Sequence, residues 1–73
     1  MMQLARLIRE AREARGLDAE QVAVRMGYRD ILKGRRKIMT AEATGVVPEE
    51  TLVRLAEVLD LDWCEVVGLL LPA

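Results

Sequence analysis

At the centre of the sequence lies the stretch DAEQVAVRMGYRDI, residues 18–31. Asp18 stands three residues before Gln21, which is the spacing of a capping box at the start of a helix. Glycine commonly ends helices, and after Gly27 the chain continues with a segment rich in Lys and Arg. A short capped helix, a glycine stop and a basic second helix are typical of a helix-turn-helix, which makes double-stranded DNA the first partner to consider.

Outside this stretch, apolar residues recur at helical spacing. A first helix is predicted from about residue 2 to residue 15, where Gly16 ends it. Pro48 and Asp62 stand at the starts of two later helices, which end near residues 59 and 70. We therefore expect one domain over residues 1–73, an all-α compact bundle of about five helices with the helix-turn-helix at about 18–44. The residues expected to be buried in the first two helices are Leu4, Leu7, Ile8, Ala11, Val22, Ala23 and Met26.

Composition excludes several classes of function. The chain has 73 residues, no histidine and one cysteine, Cys64, so neither an internal disulfide nor a zinc site of the usual kind is expected. Serine is also absent, and no catalytic constellation is recognisable, so we expect no enzyme, no cofactor and no metal. The apolar runs are far shorter than the roughly 20 residues that cross a bilayer, and no secretory signal is recognisable. We expect a soluble, cytoplasmic protein.

Charge is unevenly distributed along the chain. Residues 1–45 carry ten basic and six acidic side chains, for a net charge of +4. Residues 46–73 carry one basic and six acidic side chains, for a net charge of −5. One half is therefore suited to face phosphate while the other faces away, although charge also drifts along short chains by chance. In the first helix we expect the arginines to form a solvated face with the interleaved glutamates; they are Arg6, Arg9, Arg12 and Arg15.

The segment from residue 28 to residue 45 determines most of the predicted function. A helix from Asp30 to about Ala43, at about 100° per residue, places Lys33, Arg36, Lys37 and Thr40 on one face. Arg35 and Glu42 fall between the apolar positions of the opposite side. Either they lie at the rim of the packing, or the helix bends or ends near Gly34, since glycine inside a helix costs about 1 kcal/mol relative to Ala. We expect one continuous helix.

The basic segment has side chains suited to both phosphates and bases. Arg36 is the candidate for a base contact, because a guanidinium can donate two hydrogen bonds to O6 and N7 of guanine. Lys33 and Lys37, one turn apart, are suited to backbone phosphates. The alternative is that these cations form only the solvated face of a surface helix. The remaining candidates, for the flanking strand and for a thymine methyl group, are Tyr28, Arg29 and Thr40.

Three segments together resemble the lambda-repressor-like, Cro/C1-type helix-turn-helix family, also called XRE-like. They are LIREAREARGL at 7–17, EQVAVRMG at 20–27 and ETLVRLAEVL at 50–59. Their order, with Gly16 and Gly27 at helix ends, is what makes the resemblance specific. The resemblance implies a compact five-helix domain whose second and third helices read DNA, and a small bacterial or phage transcription regulator.

The chain departs from this family at two places. Ala19 occupies the first position of the second helix, where family members often have a Gln that contacts a phosphate and buttresses the recognition helix. Either that contact is lost or Gln21 supplies something like it. The segment after Gly27 is also longer than the usual recognition helix and lacks the Ser or Thr that commonly starts it. Base-reading residues are therefore not carried over from the family.

The last helix suggests a protein partner. It is apolar on more than one face, so we expect a homodimer, whose two-fold symmetry would place recognition helices roughly 34 to 36 Å apart on DNA. An equally favoured alternative is a fifth helix buried in the core, followed by a frayed tail. A rival function is a protein-interaction module, such as an antitoxin or anti-regulator, whose acidic half docks a basic partner. The predicted dimer residues are Trp63, Val66, Val67 and Leu70.

Overall fold

Five helices begin and end close to the residues that the sequence marks. The structure is a computed structural model that describes residues 2–70, and the side chains of residues 3–70. The helices are α1 Met2–Ala14, α2 Ala19–Arg25, α3 Ile31–Thr44, α4 Glu49–Leu59 and α5 Trp63–Leu70. Over the described residues there is no β-strand. The prediction of an all-α bundle is confirmed.

Local side chains fix the starts of α2 and α3. The backbone N–H of Gln21 donates to Asp18 Oδ1 at 2.7 Å, and the N–H of Asp18 donates to Gln21 Oε1 at 2.9 Å, which completes the predicted capping box. At α3, Asp30 accepts a hydrogen bond from the N–H of Lys33 at 3.1 Å. Gly27 has φ +88°, in the left-handed region that favours glycine, and this conformation turns the chain between the two helices.

The core receives side chains from all five helices. Leu4 and Ile8 of α1 are buried as predicted, whereas Leu7 and Ala11 lie half-buried at its edge. Because each helix contributes only one to three large buried side chains, the position of every helix depends on its neighbours. The largest fully buried side chains are Leu4, Ile8, Val22, Ile38, Leu55, Leu59 and Val66.

α3 is continuous through Gly34, as expected. A Cβ atom at this position would lie 2.6 Å from Tyr28 Cδ2 and 2.9 Å from the Cβ of Ala23. Gly34 is therefore needed for the close approach of α3 to α2 and to the connection before α3, and it does not bend the helix. Glu42 is half-buried and Arg35 is exposed, so both lie at the rim of the packing.

The structure separates the residues that were predicted together on α5. Val66 is fully buried in the core, which corrects its assignment to a dimer surface, since a buried side chain offers no area to a partner. Trp63 and Leu70 are 44% and 41% exposed, and Val67 is half-buried. The predicted frayed tail at 71–73 lies outside the described residues. None of the described helices is long and apolar enough to span a membrane.

Candidate nucleic-acid interface

The two sides of α3 have opposite chemistry. Gly34, Ile38 and Ala41 are buried on the side that packs against α1 and α2. An outward side of the helix presents Lys33, Arg36, Lys37 and Thr40, all of them exposed, and these four residues are called the basic face below. The exposed apolar residues Leu32 and Met39 lie next to it. Burial of one side of the helix thus holds the four predicted residues together on an outward surface.

The cations of the basic face form no ion pair with the described side chains of residues 3–70. Across residues 3–70, the ion pairs use Arg6, Arg12, Arg15 and Arg35. Neither the three cations of the basic face nor the exposed Arg29 takes part in any of these pairs. Their charges are therefore available to an external anion.

Tyr28 packs along the helix rather than projecting from it. Its ring lies against Gly34 and is half-buried. The Nζ atom of Lys37 lies 5.8 Å from the centre of the ring, near the outer limit for a cation–π contact. Tyr28 thereby ties the α2–α3 connection to the middle of α3 and stands beside the basic face.

We expect Gly34→Ala to lower the free energy of unfolding by about 1 to 2 kcal/mol, because the new methyl group overlaps the Tyr28 ring and Ala23. This overlap outweighs the gain in helix propensity of about 1 kcal/mol. Urea unfolding followed by circular dichroism measures the change. The matched control is Gly68→Ala in α5, where an added Cβ has no neighbour within 4 Å and the stability should rise. A Gly34→Ala variant as stable as the parent would contradict the close packing.

An ion pair behind the basic face joins α1 to α3. Arg12 Nε donates to Glu42 Oε2 at 2.7 Å, and Arg12 Nη2 donates to Glu42 Oε1 at 2.9 Å. Arg12 Nη1 also donates to the carbonyl oxygen of Leu17 at 2.9 Å. The Arg12 and Glu42 side chains are only 19% and 11% exposed, and the hydrogen bond to Glu42 is the main cause that raises the pKa of Arg12.

The prediction that Arg12 belongs to a solvated arginine face is therefore wrong. The interleaving of Arg and Glu along α1 gave no sign of this pair, because Glu42 is 30 residues away in the sequence. The pair fixes the second half of α3 against α1. It supports the basic face from behind without being part of it.

Two helix starts that differ from the pattern the sequence resembles are fixed by local hydrogen bonds. The side-chain oxygen of Gln21 accepts a hydrogen bond from the N–H of Asp18 in the capping box of α2, and a contact with a phosphate would use its NH₂ group. Asp30 caps α3 in place of the commoner Ser or Thr. The start of the basic helix is therefore fixed by this chain's own residues.

Sequence reasoning suggested a protein partner on the other half of the chain but did not find the groove that the structure shows there. Five residues of α4, of the α4–α5 connection and of the start of α5 line this shallow, mainly apolar groove, called the α4–α5 groove below. The predicted dimer residue Trp63 forms part of it. The only sequence signal was an apolar residue, Val53, among acidic ones. The lining residues are Val53, Ala56, Glu57, Leu61 and Trp63.

No protein-family model, curated protein or solved structure matches the chain. Its function is therefore inferred from the chemistry of its own surfaces.

Proposed function

We propose that this chain binds double-stranded DNA in a sequence-specific manner, as a small helix-turn-helix transcription regulator. The observation that supports this most strongly is the basic face itself. Three cations and a threonine lie on the exposed side of a helix of 14 residues, and the cations take part in none of the ion pairs within residues 3–70. At 1.5 Å per residue, this helix is about 21 Å long, and the major groove of B-DNA, about 12 Å wide, admits a helix.

The side chains of the basic face have different roles in binding DNA. Lys33 and Lys37 neutralise backbone phosphates and release counterions, which gives affinity without reading sequence. Arg36, between them in sequence, donates to the O6 and N7 atoms of a guanine. Arg29 reaches the flanking strand from the α2–α3 connection, and Thr40 contacts a thymine methyl group. α2, packed behind α3, sets the angle at which the helix enters the groove.

We also infer that the protein acts as a homodimer on DNA. On α5, Leu70 is exposed and Val67 is half-buried, so both offer area that a two-fold related copy would cover. Two recognition helices in such a dimer lie about one turn of DNA apart, roughly 34 to 36 Å. The expected operator is therefore an inverted repeat.

Two single substitutions test the division of roles on α3. We expect Lys33→Ala to weaken binding to all duplexes about equally and to reduce the slope of log K against log salt by about 1. Arg36→Ala should instead relax discrimination at one base pair, by about 1 to 3 kcal/mol. Anisotropy titrations of labelled operator and single-mismatch duplexes at several salt concentrations separate the two effects. Equal loss of affinity on all duplexes for both variants would remove the base-reading role of Arg36.

A second candidate function is the protein-interaction module. It is favoured by Leu32 and Met39 of α3, which are 62% and 50% exposed beside the basic face. Apolar side chains that remain exposed can mark a surface that a protein partner covers. Undiminished DNA binding after loss of the basic face, or no sequence preference at all, would favour this candidate.

A further inference from the structure

The α4–α5 groove is apolar at its centre. Val53 and Trp63 are large side chains that remain 38% and 44% exposed, and Ala56 and Leu61 are half-buried between the two helices. Glu57 is the only charged residue in the lining. Tryptophan is enriched among the residues that contribute most to binding at protein interfaces, and Trp63 stands at the edge of an apolar groove.

Acidic residues flank this apolar centre along α4. On α4, Glu49 and Glu50 lie one turn before Val53, and Glu57 lies one turn after it, so all four residues share one face. The three glutamates are exposed, and none belongs to an ion pair of residues 3–70. Arg54 is the only basic residue from 46 to 73, and its guanidinium is directed at the carbonyl oxygen of Met26, 3.5 Å away.

This charge pattern indicates which class of partner fits the groove. Nucleic acid is excluded, because its phosphates would meet unpaired carboxylates. A two-fold related copy of the same face would bring glutamates against glutamates, which is unfavourable for the same reason. A segment with both basic and apolar side chains matches the apolar centre of the groove and the glutamates beside it. Because Glu50 and Glu57 are seven residues apart, about 10.5 Å along α4, they match cations at positions i and i+7 of a helix lying alongside.

We propose that the α4–α5 groove docks a basic amphipathic helix of a partner protein. Its apolar residues pack on Val53 and Trp63, and its Lys or Arg side chains meet the glutamates of the rim. The groove shares no residue with the basic face. The protein would therefore carry a DNA-binding surface and a separate protein-binding surface, and the second does not depend on the first.

The single tryptophan of the chain reports directly on this groove. The probe is a synthetic helical peptide of about 16 residues, without aromatic residues, with Leu at i, i+3, i+4 and i+7 and Lys elsewhere. We expect saturable binding that shifts the Trp63 emission to shorter wavelength and weakens as salt rises. The same peptide with Glu in place of Lys should give no response.

Val53→Glu separates docking in the groove from general attraction between opposite charges. The variant adds a negative charge, so non-specific binding of the Lys peptide would become tighter, whereas docking on an apolar centre should become at least about tenfold weaker. Val24→Glu is the matched control, because Val24 is 59% exposed on α2 and lies outside the groove. A second variant, Glu50→Gln with Glu57→Gln, leaves the apolar centre intact and should lower both the affinity and its dependence on salt.

Three results would overturn the proposal. They are no saturable response in the parent protein, equal peptide affinity in Val53→Glu and Val24→Glu, and a Trp63 shift that grows with protein concentration without peptide and is lost in Val53→Glu, which would identify a second copy as the occupant. Duplex binding by Val53→Glu is measured in parallel and should remain unchanged. Peptide binding in the groove is thereby tested separately from DNA binding by the basic face.

Discussion

Replacing Lys33, Arg36 and Lys37 together with Ala should weaken duplex binding on the order of 100- to 1,000-fold at low salt. The expected reason is the loss of two phosphate contacts and one base contact. The slope of log K against log salt should also fall by about 2. Helicity and melting temperature should change little, because all three side chains are exposed and Ala is the best helix former. Anisotropy and circular dichroism measure the two properties.

The control for this variant removes the same charge elsewhere. Arg6 and Arg9 of α1 and Arg15, just after its end, are exposed, and their replacement with Ala changes the net charge by the same amount. If binding depends on the basic face, this control should retain most of its affinity. Equal loss in both triple variants would mean that total charge, and not the arrangement on α3, determines binding. Undiminished binding by the α3 variant would eliminate the proposed interface.

The second large effect is on stability. We expect Glu42→Ala to lower the free energy of unfolding by about 2 to 3 kcal/mol, since it leaves the mostly buried Arg12 guanidinium without its carboxylate. For a domain of this size, the melting temperature should fall by roughly 8 to 24 °C. An arginine guanidinium keeps its proton even without a carboxylate partner, so loss of the proton cannot relieve the unpaired group. Thermal unfolding followed by circular dichroism gives the change.

Two comparisons make this prediction specific. Glu10→Ala breaks the Arg6–Glu10 pair, whose side chains are 74% and 60% exposed, and should cost less than about 1 kcal/mol. Arg12→Met combined with Glu42→Leu replaces the buried pair with apolar groups and should recover most of the lost stability. A Glu42→Ala variant as stable as Glu10→Ala would show that the pair does not hold α3 against α1.

Local chemistry explains why the helix boundaries could be predicted. Asp18 and Asp30 cap helices by bonding to N–H groups three residues away, so both the cap and its partner are visible in a short stretch of sequence. The continuity of α3 through Gly34 was predicted although Arg35 and Glu42 interrupt the apolar pattern of the helix. The reason that glycine is required there did not, because it depends on the Tyr28 ring folding back over the helix.

Contacts between distant segments could not be predicted from a single sequence. The Arg12–Glu42 pair depends on how α1 crosses α3. The spacing of apolar residues along the sequence carries no information about that crossing. On α5 the residues are apolar around most of the helix, so the pattern could not show that Val66 is buried while Trp63 borders a groove with α4. The basic face could be predicted as a set because its residues share one helix.

Sequence-specific binding to DNA is tested most directly by selection from a pool of random-sequence duplexes with the purified protein. Retained duplexes are sequenced after selection at several salt concentrations. We predict enrichment of an inverted repeat whose half-sites lie one helical turn apart, with affinity that falls steeply as salt rises. Weak binding with no enriched sequence would contradict DNA recognition by α3 and favour a protein-interaction module.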